Sequence, residues 1–433
     1  MVARDLHARL GARPAGGAID PLSAAEAARR IQADIHRQPP LRIPLDDAAG
    51  SVLAESVISP IDIPVHPNSA MDGYAVRGED VRGAGPESLR TLEVVEQIPA
   101  SHFPVHRLEP GQASRIFTGA PLPPGADTVI RQEDTDLGRE RVAIRSDRDL
   151  GSNIRQAGED IRQGALLLED GALLGPAELG ALASVAVSHP VVYRRPRVAI
   201  LASGDEIVDL DQPDEILSGR KVASSNSHTL IALVREAGGV PVSLGIAADT
   251  PASVREHLLR AADCDLLVTT AGISVGEHDY LRGAIEEAGE IRFWRLRMRP
   301  GAPVGFGVVR GVPWVGLPGN PVSTMVTFEL FVRPAIRTMM GHRLPFRRTV
   351  RVRAAETVRV NPKLQHFLRA VVDEEPGGLV ARLTGPQGSG ILTSMIRANA
   401  LLIVPEGQPE TAEGAELPAL LLADPRHQAE PPF

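Results

Sequence analysis

Two uninterrupted apolar runs, Leu266-Leu267-Val268 and Val312 to Leu317, each break off into a glycine-rich turn. The first turn reads T-T-A-G-I-S-V-G-E-H-D-Y over residues 269–280, and the second G-L-P-G-N-P over 316–321. Apolar runs without polar alternation fit strands covered on both faces, as in a parallel sheet. A helical segment, Leu281 to Ala288, follows the first turn, and a long helix reaching about Met340 follows the second. Between them, E-I-R-F-W-R-L-R-M-R-P-G-A-P at 290–303 alternates like a strand, which would place Arg295, Arg297 and Arg299 on one face. A third apolar run at 197–203 ends in Gly204-Asp205-Glu206. Ser225-Asn226 open a helix to about Ala237, and Asp249 sits between a strand and a helix beginning near Pro251. Strand, turn and helix in repetition predict an α/β domain, whose ligands bind beyond the carboxyl ends of its strands.

The flanking chain has other periods. Ser23 starts a helical stretch with Glu26 as a capping-box partner. Residues 52–76 pass from strand-like alternation through a Pro-rich loop, and 89–145 read as short strands of a small inserted β domain. A helix from Pro176 to Val187 leads into the α/β domain, and beyond Gly341 short alternating runs predict a barrel-like β domain. The expected fold class is multidomain α/β and β, with a central doubly wound α/β domain, an inserted small β domain and a C-terminal β-barrel-like domain. The expected divisions are 21–58 with 150–195 (a discontinuous linking domain), 59–149, 196–342 and 343–424.

Composition narrows the possibilities. Of 433 residues 43 % are hydrophobic but only 3 % aromatic, so the cores must be aliphatic. A net charge of −8 argues against nucleic acid as the main partner. The lone Cys264 excludes a disulfide framework and a protein thiolate metal site. No apolar run is long enough to span a membrane, and the start lacks a signal-peptide pattern, so a cytoplasmic location is expected by default.

The turns carry candidate chemistry. Gly272 and Gly276 let the backbone approach a ligand, with the Ser274 hydroxyl between them. Glu277 and Asp279 either cap the next helix or hold a divalent cation beside a phosphate. After Pro318-Gly319, Asn320 suits an N-cap and Pro321 the first helical position, leaving free N–H groups for an anion. The three arginines form either a solvated edge or a basic wall for an anionic substrate.

G-I-S-V-G-E-H-D-Y and G-L-P-G-N-P-V-S resemble the signatures of the molybdopterin molybdotransferase family, whose eukaryotic relatives include the E domain of gephyrin. The likeness extends through at least six motifs in family order, from about Pro21 to Leu422. It implies an α/β domain of molybdopterin-binding type, and a reaction in which molybdate enters adenylylated molybdopterin and AMP leaves. S-A-M-D-G-Y-A matches a family Asp to Asp72, R-I-F-T-G-A-P a functional Thr to Thr118, and G-S-N-I-R-Q-A-G-E-D-I another Asp to Asp160. H-F-L-R at 366–369 and Q-G-S-G-I-L-T-S at 387–394 match an oxyanion-binding Arg and Ser to Arg369 and Ser394, with Arg299 beside them. Glu206, Asp249 and Asp279 match acids around the nucleotide and metal, with Asp249 and Asp279 the expected ligands of a divalent cation, Mg2+. The resemblance further implies a homodimer, with an adenylyltransferase and molybdoenzyme acceptors as partners.

The chain departs from the family at several points. Pro67 replaces a usual acid, Ala271 the first of two glycines, Ala302 a lysine, and Arg295 and Arg299 two lysines. Those changes fit a specialised paralogue with altered oxyanion handling. Two further rivals stay open: a non-catalytic scaffold, favoured by Ala302 and opposed by the retained Asp72, Thr118 and Asp279, and a molybdopterin adenylyltransferase, whose fold the α/β domain resembles but which the extra domains disfavour.

Overall fold

The apolar runs form a six-stranded sheet in the unit built from residues 1–41 and 193–433. Its strands are β1 (Arg197–Ser203), β2 (Val240–Ala247), β3 (Leu266–Thr270), β4 (Gly289–Phe293), β5 (Gly305–Val309) and β6 (Val312–Leu317), in the spatial order β2-β1-β3-β6-β5-β4. Pairing is parallel from β2 through β6, and β5 and β4 complete the sheet antiparallel. The computed structural model describes residues 21–272 and 280–423, so Ser274, Gly276, Glu277 and Asp279 lie outside the described residues.

Successive strand residues serve opposite faces, which is why these strands carry no polar alternation. Val198, Ile200, Leu266 and Val268 pack into a cluster with α1 (Ala24–Asp34) and α2 (Ser225–Ala237). Ala199, Leu201 and Leu267 pack on the other face with α3 (Pro251–Leu259) and α4 (Tyr280–Ala288). The expected doubly wound domain is present. At the start of α1, Ser23 Oγ accepts the Glu26 N–H at 3.2 Å. The Glu26 carboxylate turns instead to Arg29 and Arg30, at 2.8 and 2.9 Å, so only half of the expected capping box forms.

Two expectations need correction. The long helix after β6 is three pieces: α5 (Pro321–Thr327), a π turn (Phe328–Val332) and α6 (Arg333–Met339). Pro334 has no N–H for the Leu330 carbonyl, and its ring would crowd that carbonyl, so a widened turn relieves the conflict. The alternating stretch 290–303 is not one strand. β4 stops at Phe293, and a separate two-residue strand, Met298–Arg299, belongs to another sheet. Main-chain bonds from Leu296 N–H to Ala302 O and from Arg297 N–H to Leu22 O, both 2.8 Å, pull the intervening residues off the sheet edge. Leu296 and Met298 are buried, while Arg295 and Arg299 are exposed. Arg297 is engaged by the Pro21 carbonyl and by Glu406 at 3.3 Å, so the three arginines do not form one wall.

The C-terminal strands β7 (Thr349–Ala354), β8 (Gln365–Glu375), β9 (Gly378–Leu383), β10 (Ala400–Val404) and β11 (Glu416–Leu421) close into a barrel in the order β8-β9-β7-β11-β10-β8. Met298–Arg299 pairs in parallel with Gln365–His366 of β8. Phe367, Met395, Leu401 and Leu420 join the same buried cluster as the α1/α2 face of the sheet, so barrel and sheet share one core.

The second unit, residues 42–192, is built on a five-stranded sheet ordered Thr128–Arg131, Gly73–Val76, Gln112–Ile116, Arg90–Ile98 and Arg141–Ile144. The first strand of that sheet, Gly73–Val76, precedes the 89–145 stretch that reads as short strands in the sequence. Among the described residues, no helix is long and apolar enough to cross a membrane.

Just beyond α6, burial and then the charges of Arg337 and Arg333 push the pKa of His342 down from 6.5 to about 4. The folded protein thus keeps this ring neutral where the unfolded chain takes up a proton. Between pH 6.5 and about 4 the unfolded state binds more protons, so His342 lowers stability as pH falls through that window. His342→Gln should flatten the fall in urea midpoint between pH 7 and pH 5. An unchanged slope would assign the acid sensitivity to other groups.

Candidate active site

Because β1, β3 and β6 run parallel, their carboxyl ends lie on one edge, and the loops that follow enclose a cavity of about 480 Å³. Its lining includes Glu206, Asn226, Gly272 and the run Pro318-Gly319-Asn320-Pro321. Gly272 has φ +65°, and a Cβ there would lie 2.9 Å from Leu281 Cβ and 3.0 Å from Ser203 Oγ, so only glycine fits. Ala271 holds φ +68° despite its methyl group, a conformation that costs roughly 1–2 kcal/mol.

Asn226 ties the loops together. Its Nδ2 donates to Thr270 Oγ1 at 3.0 Å and to the Gly319 carbonyl at 2.8 Å. Its buried Oδ1 has no hydrogen-bond partner among the described residues, which leaves an acceptor for a ligand at the cavity wall. In the sequence Asn226 shows only as a helix start, because its partners lie 44 and 93 residues away. Asn320 takes the N-cap position with φ −68° and ψ 128°, but its side chain makes no capping bond. One helix-start donor is already taken, since Val322 N–H bonds Ser389 O at 3.1 Å.

The acids sit at the ends of β1 and β2. Asp205 N–H donates to Asp249 Oδ2 at 3.3 Å, and Asp249 N–H to Asp205 Oδ1 at 3.0 Å, so the two loops clasp each other. Thr250, not Asp249, caps α3, its hydroxyl accepting the Ser253 N–H at 3.3 Å. The Glu206 carboxylate folds over Gly204, where any Cβ would lie 2.6 Å from Glu206 Oε2. Among the described residues no three His, Cys, Asp or Glu side chains group as a metal cage. Mg2+ does not require one, since it is commonly held by one or two carboxylates together with water and substrate phosphates.

Residues 299–303 lead from this cavity to a second one of about 630 Å³, with Pro303 lining the first and Arg299 and Pro300 the second. Arg369, on β8, lines the second cavity and is only 1 % exposed. Its Nε donates to Ser394 Oγ at 3.1 Å and its Nη2 to the Gly388 carbonyl at 3.0 Å. Burial, and after it the charge of Arg299, pulls the pKa of Arg369 below the usual guanidinium value. His366, paired in register with Arg299, is also shifted down by burial and by that arginine. A cavity with such an excess of positive charge favours an oxyanion. Gln387 completes the clamp, accepting Arg369 N–H at 2.8 Å and donating to Arg369 O at 3.1 Å. His366 and Gln387 each open a motif in the sequence, but no role is assigned to either there, because their roles arise only from barrel closure.

In the other unit, the antiparallel pairing of Gly73 with Ile116 brings Asp72 beside Thr118. The backbone N–H and the hydroxyl of Thr118 both donate to Asp72 Oδ1 at 2.8 Å. Those two bonds, the backbone one first, hold the exposed Asp72 carboxyl below its usual pKa. Asp160 is exposed, with its N–H on Ile63 O at 3.0 Å, and among the described residues it shares no hydrogen bond with Asp72 or Thr118.

Comparison with known proteins accounts for this combination of parts. Three family models match in succession: the MoeA N-terminal region (domain I and II) over 22–186, a probable molybdopterin binding domain over 199–338, and the MoeA C-terminal region (domain IV) over 351–422. Molybdopterin molybdenumtransferase 2 of Mycobacterium tuberculosis (strain ATCC 25618 / H37Rv) is 38 % identical over 400 residues, covering 90 % of this chain and 97 % of that protein. The chain belongs to the MoeA family. A further MoeA relative, the molybdopterin molybdenumtransferase of Nostoc sp., is 37 % identical over 382 residues, covering 87 % of each chain. The crystal structure of the molybdopterin biosynthesis moeA protein from Pyrococcus horikoshii OT3 superposes with a TM-score of 0.78 at 28 % identity, covering 93 % of this chain and all of that one. The MoeA architecture therefore holds for both units.

Ser394→Ala would leave Arg369 Nε–H buried without its acceptor, a loss of about 1–3 kcal/mol. Urea unfolding should show that drop. A variant as stable as the parent would mean that the Gly388 carbonyl alone suffices to hold the guanidinium.

Proposed function

We propose that this MoeA-family enzyme inserts molybdate into adenylylated molybdopterin, releasing AMP and giving molybdenum cofactor. The observation that carries this reading is the pair of cavities joined by residues 299–303, one rimmed by glycine loops and acids, the other by Arg299 and Arg369. The dithiolene sulfurs of the substrate supply the soft ligands for the metal, which suits a protein with one buried cysteine. Matches to the N-terminal and C-terminal MoeA regions favour insertion over adenylylation, for which the α/β domain alone would suffice.

Each candidate residue has a role in this scheme. Gly272, Ser274, Gly276 and the Pro318–Pro321 loop receive the pterin nucleotide, with Glu206 at its edge. Arg299, Arg369 and Ser394 receive molybdate. Asp249 and Asp279 would hold Mg2+, which would supply charge neutralisation for the phosphoanhydride. Asp72, Thr118 and Asp160, together with Glu206, act as the catalytic residues. The working division is a linking domain (21–58 with 150–195), an inserted β domain (59–149), the α/β domain (196–342) and the barrel (343–424). The enzyme acts as a cytoplasmic homodimer, receives substrate from an adenylyltransferase and delivers cofactor to molybdoenzymes.

AMP release from the adenylylated pterin should require both a divalent cation and molybdate. Equal rates in chelator would remove the metal role, and adenylate formed from ATP and free pterin would establish the adenylyltransferase reading instead. Asp249→Asn should raise the metal concentration needed by about tenfold, or 1.4 kcal/mol. An unchanged metal titration would leave Asp249 as a clasp for Asp205 alone.

Ala302 lies half-buried between Arg299 and Pro303. Ala302→Lys should tighten molybdate binding by about fivefold, or ~1 kcal/mol, a charge-assisted hydrogen bond weakened by solvent in an open cleft. Arg299→Ala should weaken it. If the lysine changes nothing while Arg299→Ala abolishes binding, the arginine has fully replaced the lysine of the family.

A further inference from the structure

A third cavity, of about 470 Å³, lies outside the site just described, where α6 meets the chain segments 346–348 and 421–423. Four arginines line it: Arg333 and Arg337 on α6, and Arg347 and Arg348 from the connection into the barrel. Two carboxylates face them, and one arginine takes up both. Arg347 Nε lies 2.5 Å from Glu329 and its Nη2 2.8 Å from Glu236. Arg333 is left with Glu329 at 3.8 Å, beyond hydrogen-bond reach, and its Nε is buried with no hydrogen-bond partner among the described residues.

The adjoining histidine sharpens the imbalance. Arg337 Nη2 lies 3.1 Å from His342 Nδ1. A guanidinium can only donate, so Nδ1 accepts and the ring proton resides on Nε2. That Nε2 is also buried without a partner among the described residues. Four guanidiniums against two carboxylates and the orphaned Arg333 donor thus mark this concave space, with a second orphaned donor on the adjoining His342, and such groups are costly to bury unless an acceptor reaches them. Burial together with the charge of Arg347 already draws the pKa of Arg333 down to about 10.

The mouth has a different character. Phe346 is 50 % exposed there, beside the half-buried Leu422. The volume falls within the roughly 300–1,000 Å³ typical of pockets for small organic ligands. It is more than a bare oxyanion needs. Guanidiniums match the oxygens of phosphate in forked pairs.

We propose that this cavity binds a phosphate monoester, its phosphoryl group held by Arg333, Arg337 and Arg348 and its organic part lying against Phe346 and Leu422. It is a third anion site, separate from the cavities that take molybdate and pterin nucleotide. Its occupation satisfies the charge surplus at the junction of the shared core with the barrel.

Calorimetric titration of the full chain with inorganic phosphate and with phenyl phosphate tests this. Phenyl phosphate should bind about fivefold more tightly, and Phe346→Ala should bring it back to the level of inorganic phosphate. Arg337→Gln should weaken both ligands by about tenfold. Arg348→Glu, a reversal at an exposed position that does not threaten folding, should do the same while molybdate-dependent AMP release is unaltered. If neither ligand binds, or if binding persists unchanged in Arg348→Glu and Arg337→Gln, the cavity is not a phosphate site. Loss of AMP release in the unmodified protein would count against the insertion reading alone and leave this site standing.

Discussion

Parallel pairing of β1, β3 and β6 is the constraint from which the α/β domain takes its chemistry. Strands that run the same way must all end on one edge, and crossing helices must cover both faces. Side chains on those faces are committed to packing, as Val198 and Ile200 on one side and Ala199 and Leu201 on the other show. Only the residues just past each strand are free for ligands. There the chain has glycines, small polar groups and acids, and Asn226 fastens two of the loops into one wall.

The barrel extends that edge. Its closure buries the Arg369 guanidinium, and the shared cluster of Phe367, Met395, Leu401 and Leu420 fixes the barrel against the sheet. The residues between Arg299 and Pro303 then connect two cavities of different chemistry. Arg299 faces the barrel because Met298–Arg299 pairs with β8, whereas Pro303 faces the glycine loops.

Much of this was legible in the chain. Continuous apolar runs gave the buried strands, and glycine-rich breaks gave the cavity rim, because both signals are local. The alternating 290–303 stretch misled for a physical reason. Leu296 and Met298 are buried in alternation with exposed Arg295 and Arg299, but main-chain bonds to Leu22 and Ala302 route the segment away from β4. Hydrophobic period reports burial, not the hydrogen-bond partner. The interruption of the long helix was missed, because the effect of Pro334 depends on how the preceding turn adapts. The contacts of Asn226, Gln387 and His366 were beyond reach, since each acts on residues brought close only by the completed fold. Asp72 and Thr118 were singled out through motifs, and the hydrogen bonds between them follow from strand register.

The π turn at Phe328–Val332 sets more than the path of the backbone. A π turn accommodates one residue more than the α-helix it interrupts, and each residue corresponds to roughly 100° of rotation about the axis. Everything after it is therefore rephased by that angle relative to a straight continuation of α5. Arg333 and Arg337 sit one turn apart on the rephased segment and look out on the arginine-lined cavity. Shortening the chain by a single residue in this turn would swing both guanidiniums towards a neighbouring face without altering their sequence context. The angular setting of that basic surface is thus written in a helical irregularity.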